Sequence, residues 1–196
     1  MLGLISCAMT RRVHRLLGAL LVLLLAGLGH PGFADQKDPR LDDLFKALKA
    51  SHSPIRARRI ETAIWHVWTQ HANPQIAGAM TRGMNLMESG QLAAAETLFT
   101  ALIDRDPQFA EAWNKRATIR FYRGNDVGAR QDIAMVMRLE PRHFGALSGL
   151  GMIHMRAGDD AAALNAYQAA RRVNPHLENI DGLIQQLTAK LRGRAI

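Results

Sequence analysis

A spacing of 34 residues recurs through this 196-residue chain. Pro107, Pro141 and Pro175 keep it, and so do Gly90, Gly124 and Gly158. The same interval links Ala95, Ala129 and Ala163. It links Gly83, Ala117 and Gly151, all small, and Phe99, Ile133 and Tyr167, all large. Leu102, Val136 and Ala170 follow it, while Ala79, Trp113 and Leu147 open each unit. Seven columns in one register define an internal repeat. Nothing else in the chain constrains the fold as much, because each unit must bury its apolar face against its neighbours.

Each column has a physical reason. The glycines suit the left-handed residue that ends a first helix. Gln91, Asn125 and Asp159 follow them and suit the turn into a second helix. The small residues at 83, 117 and 151, and the alanines at 95, 129 and 163, let the two helices approach closely. The large residues at 99, 133 and 167 fill the space between neighbouring units. Proline after Asp106, Glu140 or Asn174 stops the second helix and opens the turn to the next unit.

This helix–turn–helix unit resembles the tetratricopeptide repeat family. The resemblance runs from Ile76 to His176, in units 76–109, 110–143 and 144–176, and "AEAWNKRATIRFYRGNDVGARQDIAMVMRLEP" matches best. Where the family often has an aromatic late in the first helix, this chain has Leu86, Arg120 and His154. The resemblance implies an all-α solenoid whose first helices line a concave groove. The implied groove residues include Met80, Met84 and Met87 from unit one. Unit two supplies Asn114, Thr118, Tyr122 and Arg123, and unit three Ser148, Met152 and Met155. Members that grip a C-terminal carboxylate use lysine, arginine and asparagine here. Lys115 alone is basic at the matching positions, so such a clamp is not expected.

The flanks read as helical caps for the exposed ends of the stack. Residues 35–75 hold two amphipathic sets, Leu41, Leu44, Phe45 and Leu48, then Ile60, Ile64, Val67 and Trp68. Pro54 separates them and Asn73-Pro74 ends the pair. This N-terminal cap reads also as a degenerate repeat, with Trp65 and Trp68 in the large-residue columns. Residues 177–196 form a capping helix with Ile180, Leu183, Ile184, Leu187 and Leu191 on one face. No strand-like alternation of convincing length occurs anywhere.

Residues 1–34 read as an export signal. Arg11, Arg12 and Arg15 precede the apolar run Leu16–Leu28, and Gly32 and Ala34 mark a cleavage site. The expected location is periplasmic, or anchored in the inner membrane where the segment is not removed. The formal net charge of +8 is partly disposable, since cleavage leaves 22 Lys+Arg against 17 Asp+Glu. Cys7, the single cysteine, lies in the leader. The mature chain therefore has no disulfide and no cysteine-based metal site or nucleophile. The export signal and the lack of interleaved aromatics disfavour nucleic acid.

Met80, Met84 and Met87 share one helical stripe. It reads as core, as an adaptable peptide groove, or as thioethers for copper(I). Arg116, Arg120, Arg123 and Arg130, with Lys115, read as a solvated face or a patch for an acidic partner. His143 and His176 follow the turn prolines, where a polar loop residue is expected, and His154 reads as a packing histidine. No nucleophile elbow, P-loop, dinucleotide motif or zinc-protease helix occurs. No cofactor is expected. The expected function is a non-catalytic scaffold or assembly adaptor, whose concave face holds a protein or peptide partner of the cell envelope. Membrane contact is expected only with the leader retained. The alternatives are a structural, self-associating array with a filled groove, and methionine-based copper handling.

Overall fold

The computed structural model describes residues 35–194, which form nine α-helices and no strand. The expected export signal lies outside the described residues. The helices are α1 (Arg40–Lys49), α2 (Pro54–Thr69), α3 (Pro74–Glu88), α4 (Leu92–Arg105), α5 (Ala110–Tyr122), α6 (Asp126–Leu139), α7 (Phe144–Arg156), α8 (Asp160–Val173) and α9 (Ile180–Arg194). The pairs α3–α4, α5–α6 and α7–α8 are the repeating units.

The columns of the repeat do the work their chemistry suggests. Gly90, Gly124 and Gly158 have φ of 74°, 80° and 75°, the left-handed region that a side chain resists. The amide following each glycine closes the helix end on the carbonyl of Leu86, Arg120 or His154, at 2.8, 2.8 and 3.0 Å. Asn125 and Asp159 then cap the second helices, accepting from the Gly128 and Ala162 amides. Gln91 makes no such cap. A Cβ on Gly83 would stand 2.5 Å from the Phe99 ring, and one on Gly151 2.7 Å from Tyr167. The small and large columns are therefore partners in one contact.

The turns between units repeat as closely. Asp106, Glu140 and Asn174 each accept the amide two residues on, at 2.9 Å in all three. Behind the turns lie three linked cores. Met80, Phe99, Leu102 and Phe109 are buried in the first. Ala117, Ile133, Val136 and Ile153 lie in the second. In the third, Ile180, Ile184 and Leu187 of α9 close over Ala163, Tyr167 and Ala170.

The hairpin α1–α2 departs from a terminal cap stacked on unit one. Its core of Leu41, Phe45, Leu48, Ile64, Val67 and Trp68 takes in Phe144 of unit three, and Val173 and Leu177 pack against it. Just past the end of α2, His71 Nε2 stands 2.8 Å from Asp106 in the first turn. Trp68 stacks on His143 in the second turn, with centroids 4.1 Å apart and planes 10° apart. Asn174 in the third turn donates to Glu61 at 3.0 Å. The hairpin is thus a strap along the edge where the three turns emerge. Its apolar stripe is buried there against Phe144, Val173 and Leu177, and removing that surface from water holds it in place.

Candidate functional site

Helices α5 and α7 are the first helices of units two and three, and they pass from a closed region into an open one. At their N-terminal ends the strap covers them. Glu111 is buried there, with Lys115 Nζ at 3.0 Å, His143 Nε2 at 2.8 Å and Asn114 Nδ2 at 3.1 Å. The Ala146 amide donates to His143 Nδ1 at 3.1 Å, so the ring proton sits on Nε2 and points at Glu111. Burial works to raise the Glu111 pKa. The Lys115 charge and the His143 hydrogen bond outweigh it and hold the carboxyl at about 2. Trp65 lies over the same region, with Lys115 Nζ 5.4 Å from its ring centroid. A Cβ on Gly145 would stand 2.4 Å from Trp65 Cη2.

Further along, the two helices part. A pocket of about 140 Å³ opens between them. Asn114, Thr118, Phe121 and Tyr122 of α5 form one wall, Gly145, Ser148, Gly149 and Met152 of α7 the other, and Ile133 of α6 lies at the back. At Gly149 the α7 backbone comes close to Ile133, whose Cδ1 a Cβ would meet in ordinary contact at 3.6 Å. Tyr122 and Met152 are exposed at the rim, at 64% and 42%. The wall is mainly apolar, with a carboxamide and three hydroxyls. Thr118 Oγ1 already donates to the Asn114 carbonyl at 3.0 Å. A cavity this size holds one benzene-sized group, and the polar atoms suit an adjoining peptide backbone.

Of the ten residues picked from sequence, the structure brings Asn114, Thr118, Tyr122, Ser148 and Met152 together. Met80 is fully buried in the core of unit one, and Met84 and Met87 pack against that core. Met155 packs against the core of unit three. The stripe at 80, 84 and 87 is therefore packing, which removes the motive for a thioether copper site. Arg123 pairs with Glu96 and stands outside the pocket lining. Gly145, which the resemblance also places on the groove, and Gly149, at a clamp-type position of unit three, line the pocket too. Ile133 lies on a second helix, where the groove pattern of the first helices does not reach.

Four of the five cations on the basic face of unit two are held in ion pairs. Arg116 bonds Asp132 at 2.9 and 2.7 Å. Arg120 bridges Asp132 and Glu96, both at 3.0 Å, and Glu96 is shared with Arg123. These pairs join α4, α5 and α6, so the charges hold unit two to unit one. Arg130 alone of the five cations makes no ion pair among the described residues. His143, expected as a polar loop residue, is wholly buried and caps α7. A buried ring under Trp68 reaches no substrate. His154 is half-buried, 3.9 Å from Asp159. Among the described residues no group of three His, Cys, Asp or Glu side chains could hold a metal, and no helix is long and apolar enough to cross a membrane.

The tetratricopeptide repeat profile matches residues 80–139. A TPR repeat-containing protein of Rhizobium etli is 34% identical over 154 residues, covering 79% of this chain and 76% of that protein. Among solved structures, the Yersinia enterocolitica type III secretion chaperone SycD, in complex with a peptide of the translocator YopD, superposes with a TM-score of 0.57. It is 13% identical and covers 60% of this chain and 95% of that one. The first TPR of Spaghetti, bound to the HSP90 peptide SRMEEVD, also has a TM-score of 0.57, with 17% identity and coverage of 60% and 93%. At those identities the likeness is one of fold. The period, the helix pairs and a relationship spanning most of both chains place this protein in the tetratricopeptide repeat family.

Proposed function

We propose that this protein is a non-catalytic scaffold of the bacterial cell envelope that holds a peptide segment of a partner between α5 and α7. The family's general role is protein–protein interaction, and two of the similar folds were solved with peptides. The observation that carries the reading is the open pocket, apolar at its back on Ile133 and edged by the exposed Tyr122 and Met152. One bulky apolar side chain enters it, and the flanking peptide backbone meets Asn114 and Ser148. The charge-neutral wall selects against an acidic anchor. The alternative of a groove filled by its own chain is favoured only at the strap end, where Trp65 lies over Gly145.

The test is selection of peptides from a random library on the purified protein. Retained peptides are expected to share an apolar anchor. Gly149→Phe, which fills the pocket, and Met152→Glu, which charges its rim, are expected to abolish binding without lowering the melting temperature. Selected peptides that ignore both changes would overturn the reading. Export is part of the proposal and rests on the leader sequence. Cell fractionation with N-terminal sequencing tests it, and a full-length chain in the cytoplasm would refute it.

A further inference from the structure

We propose that the tip of the α1–α2 hairpin is a docking surface for an anionic phospholipid bilayer. Between Lys46 and Arg59 the chain carries Lys46, Lys49, Arg56, Arg58 and Arg59 and no acid. All five are exposed. None forms an ion pair among the described residues, whereas the cations of unit two are nearly all paired. Glu61 and Glu178 share a crevice with Arg58, but Glu61 is taken up by Asn174. The mild overall charge conceals this concentration at one end of one hairpin.

Two observations indicate that the cluster serves something other than folding. The first turn of α2 has no acidic residue and holds Arg56 instead, at the positive end of the helix dipole, with Arg58 and Arg59 on the turn behind it. Cations there are unfavourable, and a local rule broken without structural gain marks a functional position. The second is Ile55, which is 71% exposed in the midst of the arginines. The opposite face of α2, with Ala57, Ile64, Val67 and Trp68, is buried. The hairpin tip therefore presents one exposed apolar residue in an open hollow that it shares with Arg58 and Arg59.

That chemistry fits a bilayer surface, where arginines meet phosphates and an apolar side chain enters the headgroup region. Nucleic acid would call for stacking aromatics, and the hairpin's Trp65 and Trp68 are turned inward onto His143. An acidic peptide would meet carboxylates as well as cations here, since the crevice beside Arg58 also holds Glu61 and Glu178, and the test below separates it from a bilayer. A tip held at a bilayer leaves the pocket between α5 and α7 free for its own ligand.

The test places a fluorophore at the tip of the full chain, using Cys7→Ser with His52→Cys, since His52 is exposed in the hairpin loop. A blue shift is expected with vesicles of phosphatidylcholine and phosphatidylglycerol, weakening as salt rises, and none with phosphatidylcholine alone. The probe reads the tip itself, whatever the leader does. Adding Arg56→Gln, Arg58→Gln and Arg59→Gln is expected to raise the half-saturating lipid concentration roughly a hundredfold, at about fivefold per arginine. Ile55→Ser is expected to remove the part of the shift that survives high salt. Unchanged melting temperatures exclude misfolding. No shift, an equal shift on neutral vesicles, or a shift that persists in the triple variant would overturn the proposal. A shift with polyglutamate but not with anionic vesicles would assign the cluster to an acidic protein and overturn it too.

Discussion

Helices α5 and α7 each serve two regions with opposite treatment. Their first turns lie under the strap, where Glu111, His143, Trp65 and Trp68 interlock. Their later turns, carrying Thr118, Tyr122, Gly149 and Met152, border an unfilled pocket. The same two backbones thus make a sealed contact and an open one, some two helical turns apart. The difference lies in what the chain itself supplies to cover each. The strap brings two tryptophans to the first, and no described segment reaches the second. A solenoid leaves every unit with one inner face, so the choice of which part of that face to close is also the choice of where a partner binds.

Breaking the sealed side should have the largest effect. Trp68→Ala removes a fully buried indole from between Phe45, His143 and Phe144, and is expected to cost about 3–5 kcal/mol in urea unfolding. Hydrogen exchange should rise in α1 and α2 and stay low in α8 and α9.

The next effect is on pH. Glu111 is held at about 2 against an ordinary 4.5. A carboxyl depressed in the folded state contributes stability above its unfolded value and loses it as pH falls through the folded one. Unfolding measured from pH 4.5 down to 2 should therefore show a loss on the order of 3 kcal/mol from this group. Glu111→Gln should remove that slope and lower stability at neutral pH.

Two glycines on α7 sharpen the comparison with a change of sign. Gly145→Ala drives a Cβ to 2.4 Å from Trp65, and is expected to destabilise by about 1–3 kcal/mol. Gly149→Ala meets Ile133 at an ordinary 3.6 Å and is expected to stabilise by up to about 1 kcal/mol through helix propensity. Equal effects would mean that the strap is not seated as described. The smallest effect is chemical. Peroxide should oxidise Met152 first and Met80 last, read by peptide mass mapping, because the one is exposed and the other buried.

The repeat columns were legible because each states a local requirement. A left-handed turn selects glycine at 90, 124 and 158, and a close helix contact selects a small residue at 83 and 151. That five of the expected groove residues share one pocket lining has the same reason. The helix face is periodic, so Asn114, Thr118, Tyr122, Ser148 and Met152 fall on it wherever the array bends. The methionines of unit one fall on that periodic face too, yet Met80 and its neighbours pack in the first core. Periodicity tells which residues share a face, and only packing tells whether that face meets solvent.

The order and type of the units, the turns between them and the closing helix α9 follow from the sequence alone, since they depend on residues one or two turns apart. Tertiary structure decided the rest. It moved the N-terminal hairpin from the end of the stack to the edge of the turns, and buried His143 beneath Trp68. It spent the cations of unit two on Glu96, Glu111 and Asp132 and left those of the hairpin tip unpaired. Each of these depends on contacts between residues far apart in the chain. Their outcome is set by which apolar surfaces and charges compete for the same partner in space, a competition that no local pattern records.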